Sequence, residues 1–156
     1  MACIFKLVLR PPTLLLSLLL VGQLLFSCTS LIYWPDKYLY AHPDRFQASF
    51  TTINLSSKDG TKLTAWRLFS KTKDPQNLVL FFHGNAQNLT SHFVHLVWLL
   101  EHGFDVIIFD YRGYGLSAGT PEPRGVSEDG LAFLSYSYEQ YKKGGFKRFI
   151  VYTQSL

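Results

Sequence analysis

The sequence has 156 residues, enough for one domain, with 47% hydrophobic residues and a formal net charge of +4. Its densest basic cluster comprises Lys142, Lys143, Lys147 and Arg148. A cluster this small is typical of a solvated helix end and loop, so we expect no nucleic-acid partner. Both cysteines, Cys3 and Cys28, lie near the amino terminus, which excludes a disulfide framework and a C-x-x-C metal site. We therefore expect no metal and no cofactor.

The first 27 residues have the pattern of an export signal. Two basic residues precede an apolar stretch, residues 14–26, that is short for a membrane span. The stretch ends in Leu25-Phe26-Ser27-Cys28, which resembles a bacterial lipobox and implies lipidation of Cys28. Residues 1–27 are therefore predicted to be a lipoprotein signal, with the protein exported and anchored to membrane lipid in the bacterial cell envelope. The alternative is an uncleaved membrane anchor helix with Cys28 unmodified.

An arm and a hairpin follow the signal. Residues 28–49 are rich in aromatic residues and proline, which predicts an irregular arm. Packing of this arm across the domain is favoured over insertion of its rings into the lipid interface. Residues 50–55 and 62–69 alternate apolar and polar side chains, with Asp59-Gly60 between them. This pattern predicts an antiparallel β-hairpin.

Two apolar runs flank a helical pattern. Residues 78–82 and 106–109 are entirely apolar, as is typical of strands buried on both faces of a parallel sheet. Between them, the apolar residues of 89–100 recur with helical spacing, and Asn88 and Gly103 are suitable cap residues. Strand, helix and strand in this order predict a βαβ unit, and hence an α/β protein with a mostly parallel sheet.

Distinctive motifs follow both apolar strands. After the first comes His83-Gly84-Asn85, where a strand, a tight turn and a helix start would aim backbone N–H groups at a negatively charged oxygen. We interpret this turn as half of an oxyanion hole. After the second, residues 110–119 form the glycine-rich loop Asp-Tyr-Arg-Gly-Tyr-Gly-Leu-Ser-Ala-Gly. A further helix within residues 122–141 and a third buried strand at 148–152 are predicted beyond the loop.

Together these motifs resemble the alpha/beta-hydrolase superfamily, in its exported or membrane-associated branch, over roughly residues 50–156. The resemblance implies an alpha/beta-hydrolase fold whose next strand ends in a Gly-x-Ser-x-Gly nucleophile elbow. Thr153-Gln154-Ser155-Leu156 stands at that place, with Thr153 where the family has glycine. The resemblance therefore implies that Ser155 is the catalytic nucleophile, and that the backbone N–H groups of Asn85 and Leu156 form the oxyanion hole.

Other motif residues are predicted to support the site. They are His83, Gly84, Asp110, Arg112, Gly113 and Gly115. We expect Asp110 to tie the loop through backbone N–H groups, and Arg112 to hold neighbouring loops together. His92 and His95, on the first helix, are interpreted as packing or surface residues rather than as a substitute base.

In this superfamily the catalytic acid and histidine follow the serine, whereas all five histidines of this sequence precede Ser155. Residues 50–156 are therefore expected to be an incomplete alpha/beta-hydrolase domain, truncated at the nucleophile strand and inactive alone. The full enzyme would be a membrane-anchored serine hydrolase that cleaves an ester, thioester or amide of a small acyl or peptide-like substrate through an acyl-serine. One alternative is a non-catalytic lipoprotein that uses the half-domain as a binding or structural module. Another is a second polypeptide that supplies the missing strands, acid and histidine.

Overall fold

The computed structural model describes residues 32–154. The predicted export signal with Cys28, and also Ser155 and Leu156, therefore lie outside the described residues. Every helix and strand within residues 32–154 belongs to one compact unit, which begins at Tyr33. None of the helices within residues 32–154 combines the length and the hydropathy needed to span a bilayer.

Residues 32–154 contain seven strands and four helical segments. The strands are β1 (Trp34–Pro35), β2 (Phe50–Ser56), β3 (Lys62–Leu68), β4 (Asn77–Phe82), β5 (Ala86–Gln87), β6 (Phe104–Phe109) and β7 (Arg148–Thr153). The helical segments are a 3₁₀-helix at Pro43–Phe46, α1 (Leu89–His92), a second 3₁₀-helix at Phe93–His102, and α2 (Pro123–Gly144).

The main sheet has five strands in the order β2-β3-β6-β4-β7. Strands β2 and β3 form the predicted antiparallel hairpin, and β3 also runs antiparallel to β6. Strand β4 lies between β6 and β7 and is parallel to both. The predicted α/β class, the hairpin and the βαβ unit are therefore confirmed. Strand β4 lies inside the sheet with both of its faces covered, which explains why its residues 78–82 are continuously apolar.

Separate apolar clusters cover the two faces of the sheet. Successive side chains of a strand point to opposite faces, so Leu80 belongs to one cluster and Phe81 to the other. Helix α2 covers the first face with Phe133, which stacks on a ring of β6, Phe109, at a centroid distance of 4.5 Å. Phe93, which follows α1, lies in the second cluster. The sheet is thus the middle layer between α2 and the helical segment that begins at Leu89.

The helical segment between β4 and β6 differs in type from the prediction. Only Leu89–His92 is α-helical, and Phe93–His102 forms a 3₁₀-helix that ends at Gly103. One buried series there is Phe93, Leu96 and Leu99, with Leu100 also buried beside Leu99, and one exposed series is His95, Trp98 and Glu101. Both series have a spacing of three, which equals the three residues per turn of a 3₁₀-helix and places each series on one face.

Strand β7 is one of the two edge strands of the main sheet within residues 32–154. The apolar sequences of β4, β6 and β7 all predict strands buried on both faces. This prediction is correct for β4 and β6 but wrong for β7 within the described residues. Val151 and Tyr152 are 46% and 52% exposed. The difference arises because β7 pairs only with β4, and its other edge meets no strand of the described chain.

The arm contacts the domain along part of its length. Strand β1 pairs in parallel with β5, which places Trp34 opposite Ala86, directly after the predicted oxyanion turn. Further along, the ring of Phe46 meets that of Phe93 edge-on, with centroids 5.5 Å apart. Trp34 and Tyr38 are nevertheless largely exposed. The prediction that the arm packs on the domain is therefore confirmed for only some of its aromatic residues.

Asn88 fixes the start of α1 and attaches the arm to it. Its Oδ1 accepts the N–H of Thr90 at 2.9 Å, and its Nδ2 donates to the carbonyl oxygens of Asp36 and Tyr38 at 3.0 and 2.8 Å. We expect Asn88→Ala to lower the free energy of unfolding by about 1–2 kcal/mol, because the helix cap and two hydrogen bonds are lost together. Urea unfolding measures the loss.

Asn88→Ser is the matched control for this prediction. Serine restores the oxygen that caps the helix but cannot donate to both carbonyl oxygens of the arm, so it should recover only part of the lost stability. If the serine and alanine variants were equally destabilised, the capping oxygen would contribute nothing and the explanation would be wrong.

Candidate active site

The candidate site lies where β4 and β7 end. These strands are adjacent and parallel, with Phe82 paired to Thr153, and the pairing continues as the N–H of Gln154 donates to the Phe82 carbonyl at 2.9 Å. The carboxyl ends of parallel strands meet at one edge of a sheet, where α/β proteins place their sites. The turn after β4 therefore shares this edge with Gln154. Ser155, the next residue along the chain, is outside the described residues, so its role stays a prediction.

His83 is fully buried at the turn after β4. Its Nδ1–H donates to the carbonyl oxygen of Gly84 at 2.8 Å, and its Nε2 lies 3.5 Å from Oδ1 of Asp110. The ring stacks on that of His92 at 5.2 Å and meets the ring of Tyr111 edge-on at 4.8 Å. The orientation of the His83 ring is therefore set by the Gly84 peptide and by the packed rings around it.

Asn85 is bound by the arm and by the glycine-rich loop. Its Oδ1 accepts the hydroxyl of Tyr114 at 2.8 Å and the N–H of Trp34 at 3.2 Å. The Tyr114 hydroxyl also lies 3.2 Å from the Asn85 carbonyl oxygen. These contacts restrain the peptide whose N–H is the predicted oxyanion donor.

Tyr114 makes this restraint sensitive to high pH. Burial raises the pKa of Tyr114 from 10.0 to about 12. A group whose pKa is higher in the folded state contributes stability that is complete below its unfolded pKa and is lost as the pH rises towards its folded pKa. We therefore expect the stability advantage of the wild type over Tyr114→Phe to be constant below pH 10 and to shrink between pH 10 and about 12.

Urea unfolding of both proteins at a series of pH values measures this difference. The comparison with Tyr114→Phe removes the common effect of the other tyrosines, which titrate in the same range. A difference that stays constant up to pH 12 would contradict the raised pKa.

The glycine-rich loop closes around the carboxylate of Asp110. Its Oδ1 accepts the N–H of Leu89 at 2.7 Å and so joins the loop to the first residue of α1. The N–H of Gly113 donates to the Ala118 carbonyl at 2.9 Å and closes the loop. Gly115 has a φ of 44°, and a Cβ at this position would overlap Oδ2 of Asp110. Only glycine therefore lets the loop approach the carboxylate this closely.

Arg112 lies at the centre of a buried ion-pair network. Its Nη2 and Nε donate to the two carboxylate oxygens of Asp129 on α2, at 2.8 and 3.0 Å, and its Nη1 donates to Asp59 in the hairpin turn at 2.8 Å. Its backbone N–H also donates to Asp129, at 2.8 Å. The hydrogen-bonded Asp129 carboxylate raises the pKa of Arg112, so the guanidinium stays charged. The network ties the loop to both the hairpin and α2.

Hydrogen bonds also hold the far end of this network in its charged form. The hydrogen bonds from Thr61, followed by the hydrogen bond from Arg112, lower the pKa of Asp59 to about 2. The Asp59 side chain is 44% exposed, whereas that of Asp129 is completely buried. The sequence does not reveal the role of Asp129, because a single acidic residue on a helix looks like a surface residue.

His92 is a second residue whose place the sequence does not reveal. Its position on the first helix suggests a packing or surface residue, but its ring is buried and contacts both Ala86 and Gln154. Ala86 directly follows Asn85, and Gln154 directly precedes Ser155. No local pattern could have indicated the contact with Gln154, because it joins residues 62 positions apart. Within residues 32–154, no group of three or more His, Cys, Asp or Glu side chains is placed to hold a metal ion.

Comparison with known sequences agrees with this architecture. A family profile described as "alpha/beta hydrolase fold" matches residues 77–152. The uncharacterised protein YfhR of Escherichia coli K12 is 39% identical over 100 residues, which are 62% of this chain and 34% of YfhR. The uncharacterised membrane protein YNL320W of Saccharomyces cerevisiae is 28% identical over 130 residues, 75% of this chain and 45% of that protein. The lysophosphatidylserine lipase ABHD12 of Bos taurus is 45% identical over 56 residues, 35% of this chain and 14% of the lipase.

Solved structures share the fold. The esterase Pf2001 of Pyrococcus furiosus superposes with a TM-score of 0.62 over 78% of this chain and 47% of the esterase, at 21% sequence identity. At that identity the likeness shows the fold alone. The chain spans about a third of the length of YfhR, of which it covers 34%. The family profile, the relatives and the mostly parallel sheet together show that the chain belongs to the alpha/beta-hydrolase superfamily.

Proposed function

We propose that these residues belong to a membrane-anchored serine hydrolase in which Ser155 attacks the carbonyl carbon of an ester, thioester or amide. The observation that carries the proposal is the parallel pairing of β4 with β7. This pairing puts the His83-Gly84-Asn85 turn and Gln154 at one edge of the sheet. A serine that directly follows Gln154 would then adjoin the predicted oxyanion turn, as an acyl-transfer site requires.

The proposed reaction proceeds through an acyl-serine. The Ser155 hydroxyl adds to the substrate carbonyl, and the N–H groups of Asn85 and Leu156 stabilise the oxyanion that forms. Collapse of this intermediate expels the alcohol, thiol or amine and leaves the acyl group on Ser155. Water then attacks the acyl-serine, releases the carboxylic acid and restores the free hydroxyl.

This chemistry needs a histidine base and an acid that orients it. All five histidines of the 156 residues precede Ser155. Among them, His83 donates its Nδ1–H to Gly84, and both ring nitrogens of His92 are engaged by Ala86 and Gln154. We therefore propose that the base and the acid come from outside these 156 residues, either in the same polypeptide or in a second one, and that the 156-residue chain alone is inactive.

One relative favours an ester as the substrate class. The bovine relative is named as a lysophosphatidylserine lipase, and lipases cleave esters. We propose a small acyl ester as the preferred substrate, ahead of a thioester or a peptide-like amide. The test is hydrolysis of p-nitrophenyl acyl esters by the cellular polypeptide that contains these residues. Hydrolysis that disappears in Ser155→Ala supports the proposal, and hydrolysis unchanged in that variant would contradict it.

The membrane attachment is proposed from the amino-terminal sequence. The lipobox-like Leu25-Phe26-Ser27-Cys28 suits a lipid anchor, and the yeast relative is named as a membrane protein. Metabolic labelling with a fatty acid tests this in cells that export lipoproteins. We expect the wild type to be labelled and Cys28→Ser to be unlabelled. Membrane attachment without any fatty-acid label would instead indicate an uncleaved anchor helix.

A further inference from the structure

We infer that His92 and Gln154 form a clamp across the site, a role that rests on the proposed function of Asn85 and Ser155. In this clamp a neutral His92 donates its Nε2–H to the carbonyl oxygen of Ala86 and accepts, at Nδ1, an N–H of the Gln154 side-chain amide. The clamp joins the residue after Asn85 to the residue before Ser155. It thereby sets the separation between the oxyanion turn and the nucleophile.

The clamp joins the buried side chain of His92 to two exposed residues, Ala86 and Gln154. The Nε2 of His92 lies 2.8 Å from the carbonyl oxygen of Ala86, and its Nδ1 lies 3.1 Å from Oε1 of Gln154. His92 is 8% exposed, and its ring stacks on the ring of His83, with an interplanar angle of 17°. Its orientation is therefore fixed by two polar contacts and one stacking contact.

The direction of both hydrogen bonds follows from the chemistry of the groups. A carbonyl oxygen can only accept, so Nε2 of His92 carries a proton. A neutral imidazole then has a lone pair on Nδ1, which requires a donor. The side-chain amide of Gln154 supplies this donor if it is rotated by 180° about its last bond. The rotation exchanges the positions of the amide oxygen and nitrogen and leaves the shape of the group almost unchanged. Neutral His92 therefore selects the Gln154 orientation that donates.

The competing arrangement is a charged His92 that donates from both nitrogens. Burial lowers the pKa of His92, and the neighbouring His83 and His95 lower it further when they are protonated. These two histidines are the titratable groups whose positive charge would repel a charged His92. The contacts to Ala86 and Gln154 raise the pKa of His92, but they only partly offset the lowering. The neutral form is therefore favoured near pH 7.

The clamp restrains Gln154 at a second point. Its backbone N–H already donates to the Phe82 carbonyl at 2.9 Å, and its side chain is bound by His92 at 3.1 Å. Oxyanion stabilisation depends on donors placed within a few tenths of an ångström, and an error of about 1 Å can cost a hundredfold in rate. His92 is therefore a positioning residue, which acts through Ala86 and Gln154 rather than on the substrate.

Ring ¹⁵N NMR of the full chain, labelled with ¹⁵N-histidine in detergent micelles, tests the clamp directly. The sequence has five histidines, so the spectrum is simple, and the His92 signals are those that vanish in His92→Phe. We expect a neutral ring at pH 7.5 with the proton on Nε2, and a pKa below the ordinary value of 6.5. A proton on Nδ1, or an imidazolium at pH 7.5, would overturn the clamp.

Gln154→Glu tests the contact with a readout that a purely structural role would not change. A carboxylate can only accept, so it should favour the charged ring and raise the pKa of His92 by about one unit or more. Gln154→Met keeps the volume without a polar group, and Gln47→Glu adds the same charge at an exposed position outside the site; neither should raise this pKa. A His92 pKa unchanged by Gln154→Glu would show that the two side chains do not interact.

The positioning role is measured with the ester hydrolysis assay on the cellular polypeptide. His92→Phe retains a ring to stack on His83 but removes both hydrogen bonds. We expect kcat to fall about tenfold or more with little change in KM, because oxyanion donors act on the transition state rather than on the bound ester. An unchanged kcat would overturn the positioning role. The Ser155→Ala variant tests the proposed hydrolase function separately. The NMR measurement tests the clamp independently of whether the protein hydrolyses the ester.

Discussion

Replacing Asp129 with alanine should lower the free energy of unfolding by about 3–5 kcal/mol, because it leaves the buried guanidinium of Arg112 without its main partner. Asp129 is completely buried. It accepts three hydrogen bonds of 2.8–3.0 Å from Arg112, one of which comes from the backbone N–H. Breaking a buried ion pair from one side is costly, since the remaining charge stays in a poorly solvated place. Denaturant unfolding of both proteins measures the loss.

Asp59→Asn is the matched control for this prediction. It removes a carboxylate from the same guanidinium, but at the partly exposed end of the network, where water screens the charge. We expect a much smaller loss of stability than for Asp129→Ala. Equal losses would mean that the burial of Asp129 does not decide the energetics. The loop that carries Arg112 also carries Tyr114, so Asp129→Ala should in addition loosen the hydrogen bond from Tyr114 to Asn85.

Gly115→Ala should destabilise the fold by about 3 kcal/mol. The new Cβ would overlap the carboxylate of Asp110, which must move away and give up its buried hydrogen bond from the N–H of Leu89. Loss of such a bond to a charged group costs about 1–3 kcal/mol, and a side chain in the left-handed backbone region adds about 1 kcal/mol. The lost hydrogen bond acts at the start of α1, so the adjoining turn at residues 83–88 should become more mobile. Amide hydrogen exchange in residues 83–90 measures that mobility.

Gly60→Ala separates the two contributions. Gly60 also has a positive φ, 87°, but a Cβ there would meet nothing within 4 Å. It should therefore show only the backbone cost, about 1 kcal/mol, and no change in the exchange of residues 83–90. If Gly115→Ala lowered the free energy of unfolding no more than Gly60→Ala, the close approach of Gly115 to Asp110 would not contribute to the cost.

Local sequence patterns are sufficient to predict the individual strands of the main sheet, though not their order. The alternation in residues 50–55 and 62–69 and the continuous apolar runs at 78–82 and 106–109 are properties of single segments, and each forms the expected strand. Two-residue strands have no such pattern, so the pairing of Trp34 with Ala86 could not be predicted. The 3₁₀ form of Phe93–His102 escapes prediction because spacings of three and of 3.6 residues differ little over ten residues.

The site requires knowledge of which distant residues meet. The motifs His83-Gly84-Asn85 and 110–119 are visible in the sequence because their residues are consecutive. The pairs that hold these motifs, Arg112 with Asp129 and His92 with Gln154, join different elements at separations of 17 and 62 residues. A single aspartate or histidine on a helix carries no local sign of such a partner. Only the fold brings these side chains together.

Labelling with a fluorophosphonate, followed by peptide mapping, tests the assignment of Ser155 most directly. The probe reacts only with a serine that an adjacent base has activated. In the cellular polypeptide that contains these residues, we predict a single adduct on the peptide that carries Ser155 and none in Ser155→Ala, whereas the 156-residue chain alone should remain unlabelled. An adduct on another residue, or a folded cellular protein without any adduct on Ser155, would contradict the proposed serine hydrolase.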